Sequence, residues 1–296
     1  MADLMPYNSA TLLSFRYNPV FASNIPGRQC SCHRIQDQDT IMTTPSAAQT
    51  VHHDRDLPAG RDGMKAEGPG LPQRLLCSTF RVRQYNDVHA RAADLRLRLP
   101  LGRKRLQRIE RIREAGALFI HVPKNGGTSI CDLLYGGIMM HETWRYYQHV
   151  APDLCRTLPS FAIWRDPVKR FVSAWAFARR GGTSRVKIHP SVNALYRSFH
   201  TLDHAIDHVE SCSSVYEMDH IFRPQTLYVC DRNGRLAVDQ LFSMDRISSL
   251  PDLVPVLKGK TIPHLNGNSH DVVPTAAQAK RIRQIYSADE ALRPAG

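Results

Sequence analysis

The sequence predicts an α/β fold with a mostly parallel sheet covered by helices on both faces. Two short apolar runs, Ala117 to Val122 and Ser160 to Trp164, have the length and boundaries of buried strands. Each leads directly into helix-starting sequence. Composition also changes near residue 115, from Ser-, Thr-, Gln-, Asp-, Gly- and Pro-rich sequence to apolar runs that alternate with helical periodicity.

The first 80 residues lack sustained periodicity, as in Thr43-Thr44-Pro45-Ser46 and Gly68-Pro69-Gly70. Such composition buries too little apolar surface to offset chain entropy, so a largely disordered region is expected over 1–80. Met64 is a candidate later start. Residues 81–115 read as a basic helical segment. Positions 81 to 113 hold eleven Lys or Arg against three acidic residues. Leu106, Ile109 and Ile112 form one apolar stripe, and Gly116 supplies a stop. The segment is either a solvated helix leaning on the next domain or a polyanion-binding arm.

Residues 116–291 carry the α/β pattern. The strand at Ala117 to Val122 is followed by a Gly-containing loop and a helix through Ile130, Leu133 and Leu134. After the second strand, Asp166 caps a helix with Pro167 at its first position, where a missing N–H costs nothing. Val168, Phe171, Val172 and Trp175 make its apolar face, and Gly181-Gly182 end it. Thr201 caps another helix. Thr226 to Cys230 reads as a strand, with a turn at Asp231 to Gly234 and a hairpin return at Arg235 to Val238. Thr275 and Gln278 form a capping box for a last helix.

The chain has 296 residues, is 42% hydrophobic and carries a formal net charge of +12. That composition excludes a collagen or a coiled coil and favours polyanionic partners. No apolar run reaches the ~18 residues of a spanning helix. Ala10 to Phe15 is too short for a secretory signal, so a soluble, cytoplasmic protein is expected. Seven cysteines without repeating spacing argue against a disulfide scaffold. Cys30, Cys32 and His33 have only His52 and His53 as companions, and no metal site is expected.

Two motifs carry chemistry. Lys124-Asn125-Gly126-Gly127-Thr128-Ser129 follows a buried strand and opens a helix. Its glycines let the backbone approach a ligand, the helix terminus adds partial positive charge, and Lys124, Thr128 and Ser129 add donors. It is a phosphate cradle but not a Walker A loop, because Lys124 precedes both glycines. The second motif runs from Arg165 to Trp175. Arg165 leaves a strand end, where open α/β sheets place ligands. Ser173 lies about two helical turns on, and the pair can hold a second phosphate.

Together and in this order the motifs resemble the carbohydrate-type sulfotransferases that use 3'-phosphoadenosine-5'-phosphosulfate (PAPS). Phe119 to Ser129 resembles that family's 5'-phosphosulfate loop, with Asn125 at a variable site, and Trp164 to Trp175 resembles its 3'-phosphate element. Ile221-Phe222-Arg223-Pro224-Gln225 and the stretch from His264-Leu265-Asn266 to Ser269 also look like segments of small bacterial members. The resemblance covers about residues 116 to 291 and none of residues 1 to 115.

The resemblance implies a P-loop-like sheet with PAPS as the sulfuryl donor and no metal. Lys124 would contact the phosphosulfate and act in catalysis. Asn125, Gly126, Gly127, Thr128 and Ser129 would line the 5'-phosphate site, and Arg165 and Ser173 would hold the 3'-phosphate. The acceptor would be a hydroxyl of a glycan, glycolipid or related small molecule. His141, in an H-x-T pattern completed by Thr143, is the expected base, and His149 is the second candidate. His121, inside the first strand, reads as a packed core residue. Arg170 is expected to brace the site through a carboxylate. Competing readings are an ATP-dependent P-loop kinase, a non-enzymatic polyanion binder and a degenerate sulfotransferase fold. The missing G-K-[ST] argues against the kinase, and no nucleic-acid module is recognisable.

Overall fold

The computed structural model describes residues 70–182, 188, 190–263 and 272–294. Cys30, Cys32, His33, His52, His53, Met64 and the stretch from His264 to Ser269 lie outside them. In chain order the helices and strands before the second strand are α1 (Leu71–Phe80), α2 (Val88–Asp94), α3 (Arg103–Ala115), β1 (Leu118–Ile120), α4 (Gly127–Tyr135), α5 (Trp144–Val150) and α6 (Pro152–Thr157). They continue with β2 (Ser160–Trp164), α7 (Pro167–Arg179), α8 (Pro190–Ser198), α9 (Leu202–Ser211), α10 (Gln225–Val229) and β3 (Gln240–Ser243). Helices α11 (Leu250–Leu253), α12 (Ala276–Ile285) and α13 (Ser287–Ala291) follow.

The three strands form one parallel sheet in the order β1-β2-β3. Phe119 pairs with Phe161, and Ile163 pairs with Phe242. All five residues of β2 are buried, as suits a central parallel strand. Around the sheet, Ile109 and Ile112 of α3, Ile130 of α4 and Leu154 of α6 join the strand residues in one apolar core. A second core lies among α7, α8, α9 and α12, around Phe171, Tyr196, Ile206 and Ile282. Each large apolar side chain buried this way contributes about 1.5–3 kcal/mol. The sheet is thus flanked by helices.

Local caps stand where the sequence puts them. Asp166 accepts from Lys169 N, Thr201 accepts from His204 N, and Thr275 and Gln278 close both halves of a capping box. Other expectations are corrected. Leu71–Phe80, placed by composition in the unstructured region, is helical, and its Phe80 is buried with Val82, Val88 and Tyr216. Within residues 81–115 the expected helix is α3, ended by Gly116, and α2 precedes it as a further α-helix. Leu106 leaves the predicted stripe and is 52% exposed, while Ile112 is fully buried. Thr226 to Cys230 is not a strand. It is mostly α10, because the buried carboxylate of Asp289 accepts from the N–H groups of Gln225 and Thr226 and caps a helix there. Only Cys230 and Leu236 retain a bridge of the predicted hairpin. The third strand is instead β3, an edge strand without a clean apolar run. Among the described residues no helix is long and apolar enough to cross a membrane.

Candidate functional site

The C-terminal ends of all three strands meet at one edge, where ligands bind in open parallel sheets. After β1 the chain makes a left-handed turn, with φ of 69° at Lys124 and 74° at Gly126. Gly126 is the N-cap of α4 and supplies no side-chain cap. The first N–H groups of α4 therefore lack a capping side chain, which is the arrangement that receives anions. Gly127 is required by packing, since a Cβ there would lie 2.3 Å from the His121 ring.

Cations converge on this turn. Arg165, at the end of β2, donates from Nη1 to the carbonyl of Lys124 at 2.8 Å. Lys124 Nζ sits 4.2 Å from the centre of the Phe177 ring on α7, a cation–π contact. Burial, assisted by the Arg165 and Arg180 guanidinium groups, lowers the Lys124 ammonium to about 8. Burial and the neighbouring Arg170 also lower Arg165, against the opposing pull of Asp166 and Asp245. Ser173 is buried one turn before Phe177 on the same face of α7. A cleft of about 420 Å³ opens beside Arg165, bounded by Asp166 and Lys169 after β2 and by Ser243, Asp245 and Ser248 after β3.

Two expected ligand residues have other partners. The buried Asn125 amide donates to Ile163 O at 2.6 Å and to Gln225 Oε1 at 2.7 Å, so its side chain braces the turn instead of facing a phosphate. Ser129 Oγ donates to Pro263 O at 2.7 Å. Thr128 is half-buried in the first turn of α4. Arg170 is buried, donates to the carbonyls of Ile221 and Arg223, and lies 4.0 Å from the Asp289 carboxylate. Asp289 thus links Arg170 to the backbone of Gln225. No motif marked Asp289; its only sequence signal is an acid in a short C-terminal helix.

Histidines line the other side of the turn. The His121 and His141 rings are 4.1 Å apart and those of His141 and His220 are 5.0 Å apart. His141 Nδ1 is 3.0 Å from His121 O. A carbonyl only accepts, so Nδ1 carries the proton and Nε2 carries the lone pair. Burial and the two neighbouring imidazoles push His141 well below the ordinary histidine range. Burial likewise lowers His121 to about 3. Cys131, whose thiol burial raises to about 12, lies 3.5 Å from His121 Nδ1. His121 is the packed residue that the sequence suggests. Thr143 caps α5 by accepting from Tyr146 N. His149 stands apart from this row: its Nε2 is 3.0 Å from Leu97 O, and it lines a different cleft of about 320 Å³. The only sequence signal at His220 is that it adjoins the Ile221 to Gln225 segment.

Among the described residues, no group of three or more His, Cys, Asp or Glu side chains is arranged to hold a metal ion. Comparison with family models, curated proteins and solved structures finds no match to this chain.

Proposed function

We propose that the chain is a PAPS-dependent sulfotransferase acting on a hydroxyl of a carbohydrate-type acceptor. The observation that carries this reading is the convergence of Lys124, Arg165 and Arg180 beside the uncapped N-terminus of α4. Lys124 and Arg165 are both lowered by burial and like charge, so a bound polyanion would relieve an unfavourable charge cluster. The motif resemblance and the position of the glycine turn, between β1 and the start of α4, support the same reading and a P-loop-like sheet.

The donor supplies a sulfuryl group attached to a phosphate leaving group. Gly126, Gly127 and Thr128 would hold the 5'-phosphate through the start of α4. Lys124 would place its ammonium on the oxygen that gains charge as the group departs. Arg165 would hold the 3'-phosphate from the cleft after β2 and β3, with Ser173 on α7 as its expected partner. The base would come from the histidine row, with the Nε2 lone pair of His141 as the first candidate. PAPS is the only donor proposed and no metal is assigned a role. A soluble, cytoplasmic enzyme remains part of the proposal.

Calorimetric titration with 3'-phosphoadenosine-5'-phosphate tests the reading, with ADP and Mg²⁺-ATP as controls. Binding of the bisphosphate alone is expected. Preference for Mg²⁺-ATP would move the chain to the kinases, and binding of neither would reject the donor assignment. Arg165→Ala should weaken the bisphosphate far more than AMP.

A further inference from the structure

The histidine row ends in a carboxylate–imidazole pair. His220 Nδ1 is 2.9 Å from Asp219 Oδ1. Asp219 is buried, and its carboxyl lies below the ordinary aspartate range because His220 and the Ile221 N–H outweigh its burial. An ionised carboxylate only accepts, so in the neutral ring His220 Nδ1 carries the proton and Nε2 carries the lone pair. No described residue takes a hydrogen bond from or gives one to that nitrogen.

The pair is held on several sides. Asp219 Oδ1 also accepts from Ile221 N at 3.1 Å, and Oδ2 accepts from Gln84 Nε2. Tyr228 Oη donates to His220 O at 2.9 Å. The His141 ring stacks on His220 with 25° between the planes. His220 keeps 34% of its side chain exposed, so an acceptor can reach it. His141 has a carbonyl as its Nδ1 partner and an imidazole on each side. Protonating it would place a cation beside both rings, with no carboxylate in contact. Protonating His220 places that cation against Asp219.

We propose that His220 is the general base, oriented by Asp219 as a positioning residue, and that His141 is the neutral ring that fixes the His220 plane. This rests on the sulfotransferase reading. His220 Nε2 takes the proton of the acceptor hydroxyl as its oxygen forms a bond to sulfur. The bond from sulfur to the donor phosphate oxygen breaks, that phosphate keeps the electron pair, and His220 then releases the proton to solvent.

The test uses the full chain and two readouts. Ring ¹⁵N NMR at pH 8 reads the tautomer of His220, assigned by its loss in His220→Gln. The Nδ1–H form is expected in the wild type, with a shift towards Nε2–H in Asp219→Asn and recovery in Asp219→Glu. Such tautomer loss is how an Asp-to-Asn change disables a carboxylate-backed histidine. The second readout is sulfate release from PAPS with water as acceptor, expected to fall about 100-fold or more in His220→Gln. An Nε2–H tautomer in the wild type overturns the pair. So does His220→Gln within about two-fold of the wild type, and collapse in His141→Gln alone would return the base to His141. A wild type that binds no 3'-phosphoadenosine-5'-phosphate would reject the sulfotransferase reading, while the tautomer would still decide the pair.

Discussion

Gln225 holds both backbone polar groups of Arg165. Its Oε1 accepts from Arg165 N at 3.0 Å, and its Nε2 donates to Arg165 O at 2.9 Å. The same Oε1 accepts from Asn125, so one amide aligns the turn after β1 with the end of β2. Gln225 is held in turn by Asp289. The turn after β1 and the end of β2, the two parts of the candidate site, are thereby kept in register. Replacing Gln225 with Ala should leave the Arg165 N–H and one Asn125 N–H without partners. A loss of stability on the order of 2 kcal/mol is expected, with weaker bisphosphate binding. Denaturant melts and calorimetry measure the two effects; unchanged binding would show that the clamp does not serve the site.

Lys124 gives a pH dependence whose sign can be stated. Its folded value of about 8 lies below the ordinary 10.5. Above pH 8 the free site loses its ammonium, so bisphosphate affinity should fall as pH rises. Binding should take up protons at pH 8 and far fewer at pH 6, which calorimetry in buffers of different ionisation enthalpy detects.

The same group affects stability. Between about pH 8 and 10.5 the unfolded chain holds more protons at Lys124 than the folded chain, so its contribution to stability rises with pH. Below pH 8 the full cost of charging a buried ammonium is present. Lys124→Met should therefore stabilise the fold at pH 7 by on the order of 1–3 kcal/mol, seen as a higher melting temperature, while removing bisphosphate binding. A less stable variant would contradict the burial argument.

Gly127→Ala is expected to be destabilising by about 1–3 kcal/mol. The new Cβ would meet the His121 ring at 2.3 Å, and that ring is already packed against Phe119 and His141. Wild-type stability in the variant would mean that the His121 ring can move aside.

Buried histidines should make the fold acid-labile. Burial lowers His121 to about 3 and holds His141 well below the ordinary histidine range, and the half-buried His89 is lowered to about 4 by burial and the Arg105 charge. As pH falls below 6.5 the unfolded chain takes up protons first, so stability drops towards pH 4. His121 alone contributes up to about 1.4 kcal/mol per pH unit in that window. Melting temperature followed from pH 8 to 4 should fall more steeply in the wild type than in His89→Gln or His121→Asn. Equal slopes would place the acid sensitivity elsewhere.

What the sequence by itself determined is local. Asp166, Thr201 and Thr275 cap helices by reaching three residues along the chain, so a short window contains both partners. The apolar runs of β1 and β2, and the order of Lys124, Gly126 and Gly127 after a strand, are equally short-range. Only the tertiary structure decided what depends on distant partners. Gln225–Val229 is helical because a carboxylate some 60 residues later caps it. Asn125 turns inward because Ile163 and Gln225 accept its protons. The His220 ring is held by Asp219 and His141, one adjacent and one far back in the chain. A hydrogen-bond acceptor in sequence does not reveal its donor when folding alone brings the two within 3 Å.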